Sequence, residues 1–230
     1  KFIRIARFAP LIGIFIGFLQ SLAWLLLKYF NWPNISLALL SVVINILITG
    51  GLHIDGLMDT ADGFGAGPSK RIEAMKDSRV GSIGVQSLAI ILILQIAAIV
   101  RLDFYVLFAF PLAAFWGRVS QIFAIENYEY LLKKSNSIHH QNWKGINKEI
   151  RPSLIIISMG IMLFFIFNNF NISSILLLTF CILFGLVTSI LIPYLINKFL
   201  GGHSGDSYGA SLVITETIYL LMTAVILVPN

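Results

Sequence analysis

The sequence has few charged residues, and this shortage restricts the class of protein it can encode. Asp, Glu, Lys and Arg make up 12% of the 230 residues, whereas ordinary soluble domains carry about 25%. Hydrophobic residues make up 57%, and the mean hydropathy is +0.87. In water such a chain would expose larger apolar patches than soluble monomers do. The composition therefore predicts an integral membrane protein.

Cysteine and long basic runs are also scarce. The only cysteine, Cys181, lies in an apolar run, which excludes an intrachain disulfide framework and a cysteine-based zinc site. The net charge is +5, but the basic residues sit between apolar segments and form no long run, so no nucleic-acid partner is predicted. We expect lipid to surround the chain instead.

Apolar segments of about 20 residues, the length that a membrane-spanning helix needs, recur along the chain. The first is too long for the core of a cleaved signal peptide, so we expect it to be a span. We predict an all-α, polytopic bundle that forms one domain over residues 1–230. The predicted spans, about seven in number, are 8–27, 33–50, 83–100, 104–125, 152–168, 173–196 and 209–228.

Basic residues indicate the orientation, because Lys and Arg favour cytosolic loops. Alternate connections hold thirteen of these residues, whereas the others hold only Lys28 and Arg101. This asymmetry predicts a cytosolic N-terminus. The polar segments 52–82 and 198–209, together with the loop 126–151, then fall on the cytosolic side.

The first polar segment contains three acidic residues, Asp55, Asp59 and Asp62. Their spacing of four and three residues places the carboxylates on one face of a helix. Three like charges on one stripe repel each other, and hard divalent cations such as Mg²⁺ bind carboxylate oxygens together with substrate phosphates. The segment therefore predicts a metal site, with a solvated helix face as the alternative.

Glycines and basic residues surround these acids. Glycine-rich turns let the backbone approach a phosphate, and Lys76 and Arg79 beside Asp77 are candidate substrate contacts, although cytosolic topology alone also explains the bases. His53 lies off the face that carries the acids. For His53 a polar packing role is as plausible as substrate binding.

The second polar segment reads G-G-H-S-G-D-S-Y-G-A and leads into the last predicted span. Asp206 lies in its glycine- and serine-rich turn. Glu216 lies about two turns inside the span, where an ionisable residue is a candidate functional residue because its burial is costly. Asn45 and Arg118 are the other polar candidates within spans, and for Arg118, near the cytosolic end of its span, snorkelling is the alternative explanation.

The two segments together resemble a known family. The runs G-L-H-I-D-G-L-M-D-T-A-D-G and M-K-D-S-R-V-G-S-I-G, followed by G-G-H-S-G-D-S-Y-G-A, are similar to the motifs of cobalamin-5'-phosphate synthases, also called adenosylcobinamide-GDP ribazoletransferases. The F-A-P-L-I-G-I-F-I-G entry to the first span fits as well. The family's P-Y-A-R-like stretch is not present in the loop after the fourth predicted span, which reads E-N-Y-E-Y-L-L-K-K-S-N.

This resemblance implies a membrane enzyme that joins a corrinoid nucleotide, adenosylcobinamide-GDP, to α-ribazole or its 5'-phosphate and releases GMP with Mg²⁺ as cofactor. It implies that Asp55, Asp59 and Asp62 are metal and phosphate ligands. Asp59 and Asp62 are the candidate catalytic residues, with Asp62 as a candidate general base. The candidate substrate-binding residues are His53, Lys76, Asp77, Arg79, Asp206 and Glu216.

Two other functions use the same residues. The run from Asp59 to Gly63 echoes the D-x-x-D-G core of CDP-alcohol phosphotransferases, but the remainder of that motif is absent. A cation transporter with Asp206 and Glu216 along its path is the second alternative, although its carboxylates should lie near the membrane midplane. Assembly into a homo-oligomer is compatible with the sequence.

Overall fold

The computed structural model describes residues 5–131, 143–167 and 172–227, and in these ranges every regular element is a helix. The ten α-helices of these ranges are α1 (Ala9–Tyr29), α2 (Asn34–Thr49), α3 (Leu52–Gly65), α4 (Arg71–Ala74), α5 (Ser82–Leu102), α6 (Val106–Asn127), α7 (Ile146–Glu149), α8 (Arg151–Phe167), α9 (Ile172–Leu200) and α10 (Gly205–Leu227). Short 3₁₀ helices precede α1 and join α5 to α6. The predicted all-α class is confirmed.

The predicted number of spans is not confirmed. Four helical runs of the described residues are long and apolar enough to cross a membrane, and they are Ala9–Tyr29, Ser82–Asn127, Ile175–Leu200 and Gly205–Leu227. Helices α2 and α3 pass the same test as one pair bent by 93°, which raises the count to five. The protein is therefore multi-pass, but seven spans are not confirmed. Helix α8, which has 17 residues within the described range, is not among these runs.

The run Ser82–Asn127 contains two of the predicted spans, and its length requires a reversal. A straight helix of 46 residues would be about 69 Å long, more than twice the roughly 30 Å hydrocarbon core of a bilayer. Helix α5 runs in the same direction as α10. Its Gln95 side chain donates a hydrogen bond of 2.9 Å to Thr217 Oγ1. One to two turns later, Arg101 Nε donates one of 3.0 Å to the carbonyl of Ala224.

Helix α6 runs in the opposite direction along the same helix. Its Arg118 side chain is hydrogen-bonded to Glu216, and seven residues later Ile125 belongs to a core cluster with Tyr208. The chain therefore turns back between α5 and α6 at Asp103, which has a φ of +46°. Lys28, at the end of α1, pairs with the Asp103 carboxylate at 3.0 Å.

Helix α10 lies at the centre of the bundle, packed against α3, α5, α6 and α9. Many of its buried residues are glycine, alanine, serine or threonine. Small side chains allow helices to approach closely where no hydrophobic force drives association in lipid. A small residue also allows α1 to pack closely on α6, because a Cβ on Gly17 would lie 2.5 Å from the Phe110 carbonyl.

Two predicted boundaries change. The last helix begins at Gly205 rather than at residue 209, so Asp206 belongs to its first turn and the connection after α9 shortens to residues 201–204. The predicted 126–151 loop contains α7, and its residues 132–142 lie outside the described residues. So do Lys1, Arg4, Lys133 and Lys134, four of the basic residues on which the orientation depends.

Candidate active site

A sharp bend places the acidic helix α3 across one end of the bundle. Gly50 and Gly51 follow α2 with φ values of +64° and +70°, a left-handed conformation that glycine adopts without strain. The two glycines turn the chain by 93° between α2 and α3. The predicted helix through Asp55, Asp59 and Asp62 is present as α3.

The start of α10 packs directly on α3 through two glycines. A Cβ on Gly56 would lie 2.5 Å from the backbone oxygen of Asp206, and one on Gly209 would lie 3.2 Å from the backbone of His53. This close approach brings the second polar segment against the first. The charges of Asp55 and Asp206, and less strongly that of Asp62, act on Asp59.

We call Asp55, Asp59 and Asp206 the acidic cluster. Asp55 is exposed, whereas Asp59 and Asp206 are half-buried. Within the described ranges no lysine or arginine forms an ion pair with any of the three. Like charges at this spacing repel each other, so the cluster favours the binding of a cation.

The cluster fits Mg²⁺ only in part. In the described part of the chain, no group of three or more His, Cys, Asp or Glu side chains is arranged to hold a metal ion alone. Mg²⁺ sites in phosphate-transferring proteins use one or two carboxylates and complete the coordination with water and substrate phosphates. The donor chemistry of the cluster meets that smaller requirement.

Asp62 makes contacts that its sequence pattern did not predict. One of its carboxylate oxygens accepts a hydrogen bond of 2.8 Å from Gly81 N–H, and the other accepts one of 2.8 Å from Gly84 N–H. A Cβ on Gly84 would lie 2.5 Å from this carboxylate. Asp62 therefore anchors the end of α3 to the first turn of α5, where the helix dipole favours a negative charge.

The basic loop between α3 and α5 has a structural anchor and an exposed ion pair. Arg71 donates a hydrogen bond to the carbonyl of Phe199 near the end of α9. Arg79 forms a two-pronged pair with Asp77, with Nη2 and Oδ2 at 2.7 Å. Hydrogen bonds from Arg79 lower the pKa of Asp77 to about 2. Lys76 is exposed. Substrate binding by Lys76, Asp77 and Arg79 stays a prediction.

Glu216 and His53 lie deeper in the bundle. Glu216 is paired with Arg118 of α6, and the two residues are only 5% and 4% exposed. Gly117 leaves room for this pair, because a Cβ there would lie 2.7 Å from Glu216 Cγ. His53, Arg118 and Glu216 line one cavity together with Asn45. Asp206 and Glu216, although on one helix, therefore belong to different environments.

Comparison with known proteins identifies the family. The sequence model described as cobalamin-5-phosphate synthase matches residues 1–224. The chain belongs to this family.

Several curated relatives cover nearly the whole chain. One from Prochlorococcus marinus (strain SARG) is 50% identical over 99% of this chain and 88% of its own length. Another from Prochlorococcus marinus (strain MIT 9303) is 42% identical with the same coverage. One from Trichormus variabilis is 35% identical over 98% of this chain and 88% of its length. All three are named adenosylcobinamide-GDP ribazoletransferase, and no solved structure matches the chain.

Sequence reasoning missed two residues beside the site of this synthase-family chain, Tyr130 and His203. The residues after α6 run alongside residues 201–203, where Tyr130 and His203 form an isolated parallel β-bridge. Tyr128 and Tyr130 alternate along this stretch, and alternate residues of an extended chain share a face. That spacing was the available signal. It could not indicate which part of the chain the face would meet.

Proposed function

We propose that this protein is a Mg²⁺-dependent membrane transferase that joins adenosylcobinamide-GDP to α-ribazole, or to α-ribazole 5'-phosphate, with release of GMP. Membership in the synthase family and the shared name of the relatives support the reaction. The acidic cluster carries the proposal for the site, because three uncompensated carboxylates at one end of the bundle suit a metal-bound pyrophosphate. We further propose that this end faces the cytosol, at the cell membrane.

The chain's carboxylates would hold the metal. One or two of Asp55, Asp59 and Asp206, with Asp59 among them, are the proposed ligands, together with water and substrate phosphates. Asp62, which the sequence-predicted set included, is left out because both of its oxygens already accept backbone hydrogen bonds. Mg²⁺, when bound, would neutralise negative charge on the pyrophosphate oxygens as the bond to GMP breaks. Catalysis of this kind depends mostly on positioning and electrostatics. The close packing of Gly56 on the Asp206 backbone fixes the position of Asp206 relative to α3.

The acceptor must lose a proton. A ribose hydroxyl of α-ribazole forms a bond to the phosphorus that carries cobinamide, the pyrophosphate bond to GMP breaks, and the hydroxyl proton passes to a carboxylate. We assign this role to a carboxylate of the acidic cluster that does not bind the metal, because both oxygens of Asp62 already accept backbone hydrogen bonds. Lys76 and Arg79 are proposed to contact phosphate oxygens from the exposed loop.

The test is nucleotide release by the purified full chain in detergent. The account predicts GMP release from adenosylcobinamide-GDP that requires both α-ribazole and Mg²⁺ and needs no ion gradient. A parallel incubation with a CDP-linked lipid alcohol should release no CMP. CMP release would favour a CDP-alcohol phosphotransferase, and the absence of any metal-dependent nucleotide release would contradict an enzymatic site here.

A further inference from the structure

The stretch 128–131, just after α6, is fixed to the connection between α9 and α10. His203 N–H donates a hydrogen bond of 2.8 Å to the carbonyl of Glu129, and Leu131 N–H donates one of 2.8 Å to the carbonyl of His203. The two backbones approach so closely that a Cβ on Gly202 would lie 2.8 Å from the Glu129 oxygen. A glycine is therefore required at this contact, and the stretch keeps a fixed register beside Asp206.

Two tyrosines of this stretch stack on neighbouring rings. Tyr128 stacks on His203, with ring centroids 5.3 Å apart, and Tyr130 stacks on Tyr208 at 6.3 Å. Both ring nitrogens of His203 have hydrogen-bond partners, because its Nδ1 lies 2.9 Å from Ser207 Oγ and its Nε2 lies 3.0 Å from the carbonyl of Pro193. Both tyrosine rings thus have a packing role in the same aromatic group.

The two hydroxyl groups differ. The Tyr130 hydroxyl accepts a hydrogen bond from the backbone N–H of Gly205, the first residue of α10. It also interacts electrostatically with the Asp206 carboxylate. Burial first, and then that charge, raise the pKa of Tyr130. The Tyr128 hydroxyl interacts instead with Tyr194 of α9. The Tyr130 hydroxyl therefore reaches the turn that carries Asp206 directly, whereas Tyr128 is connected to that turn through the ring of His203.

We propose that Tyr130 is a positioning residue of the active site, whose hydroxyl holds the first turn of α10 so that Asp206 faces Asp55 and Asp59. It acts through Asp206 and need not touch the substrate. The inference rests on the proposed metal role of the acidic cluster. The two sequence motifs place the site on α3 and α10. Tyr130 adds a residue from a third part of the chain, the stretch after α6.

The test compares Tyr130→Phe with Tyr128→Phe in the purified full chain, since each substitution removes one hydroxyl and keeps its ring. We expect Tyr130→Phe to raise the Mg²⁺ concentration for half-maximal GMP release and to lower kcat, each by about 10-fold, the usual size of effect when a partner of a metal ligand is lost. The KM for α-ribazole and the thermal midpoint should match those of Tyr128→Phe.

Three results would overturn the proposal. Equal behaviour of the two variants would mean that the Tyr130 hydroxyl has no special role. Equal losses with lowered thermal midpoints would mean that both hydroxyls only support the fold. A higher KM for α-ribazole with unchanged Mg²⁺ dependence would make Tyr130 a substrate contact instead. Failure of the unmodified protein to release GMP would count against the proposed function itself, so the two failures are distinguishable.

A second variant tests the path through Asp206. If Tyr130 acts by holding this carboxylate, Tyr130→Phe should cause no further loss in a protein that already carries Asp206→Asn. Independent residues would instead multiply their losses, since effects add in free energy only for uncoupled sites. Full multiplication of the two losses would contradict the proposal.

Discussion

Helix α10 carries two acidic residues whose surroundings have opposite charge. Asp206, in the first turn, lies beside Asp55 and within reach of Asp59. Glu216, about three turns further along, is buried against Arg118. The first group is an uncompensated cluster at the end of the bundle, and the second is an ion pair inside it.

Asp206 therefore belongs to a cluster without a counter-charge, whereas Glu216 belongs to a complete ion pair. The acidic cluster needs a cation from outside the described chain to relieve its repulsion, which is the behaviour of a ligand site. The Arg118–Glu216 pair neutralises itself, and its partners come from two helices that cross at Gly117. Burial of an ionisable residue was the reason to assign Glu216 to the substrate, but a buried pair also fulfils a structural role.

The largest effect is expected from Asp59→Asn. Asp59 lies among the other acids, so its loss should lower GMP release by on the order of 10³-fold. Its thermal midpoint should stay at or above that of the unmodified protein, because one repelling charge is removed. Both quantities are measured on purified protein. Turnover near normal would contradict the assignment of the cluster as the catalytic metal site.

Single substitutions in the ion pair should act on stability instead. Arg118→Met or Glu216→Gln leaves one partner buried without its counter-charge, which typically costs about 3–5 kcal/mol. The double variant should recover much of this loss. Thermal unfolding in detergent measures all three proteins. Unchanged midpoints in the single variants, combined with lost GMP release, would instead make the pair part of the catalytic site.

Asp62→Asn tests whether the third acid of α3 belongs with the cluster or with the scaffold. An asparagine keeps one acceptor but turns an amide N–H₂ toward a backbone donor, so a loss of about 1–3 kcal/mol of stability is expected. The Mg²⁺ concentration for half-maximal activity should not change. A shift of that concentration like the one in Asp59→Asn would restore Asp62 to the metal ligands.

The smallest effect is expected at the exposed loop. The Arg79 side chain is 88% exposed and paired with Asp77, and exposed pairs contribute little to stability. Arg79→Gln should leave the thermal midpoint unchanged and raise the KM for adenosylcobinamide-GDP about threefold, with the difference shrinking at high salt. Lys148→Gln, at an exposed position on α7, is the matched control. Equal effects of both would indicate a general charge effect.

The sequence predicted what depends on local spacing. The acid helix follows from the separation of Asp55, Asp59 and Asp62, and the all-α class follows from composition and apolar runs. The start of helix α10 was harder to predict, because residues 201–209 are polar and were read as a connection. The helix begins within that stretch, at Gly205. The count of seven spans is not confirmed, because four helical runs of the described residues, or five with the bent pair α2 and α3, are long and apolar enough to cross a membrane.

The missed features depend on contacts between distant parts of the chain. The hydrogen bonds of Asp62 cross about twenty residues to Gly81 and Gly84. Tyr130 reaches its partners across more than seventy residues. A single sequence shows that such residues are polar, aromatic or small, but it does not show which others they meet. The two motifs were recognisable for their acids, whereas the reason for their glycines became clear only from packing.

Direct measurement of metal binding tests the central claim most directly. Mn²⁺, which shares the oxygen preference of Mg²⁺, can be titrated into the purified full chain and followed by electron paramagnetic resonance. The account predicts binding that Mg²⁺ displaces, that is lost in Asp59→Asn, and that persists in the Arg118→Met/Glu216→Gln double variant if that protein remains folded. Binding that survives Asp59→Asn would contradict the account.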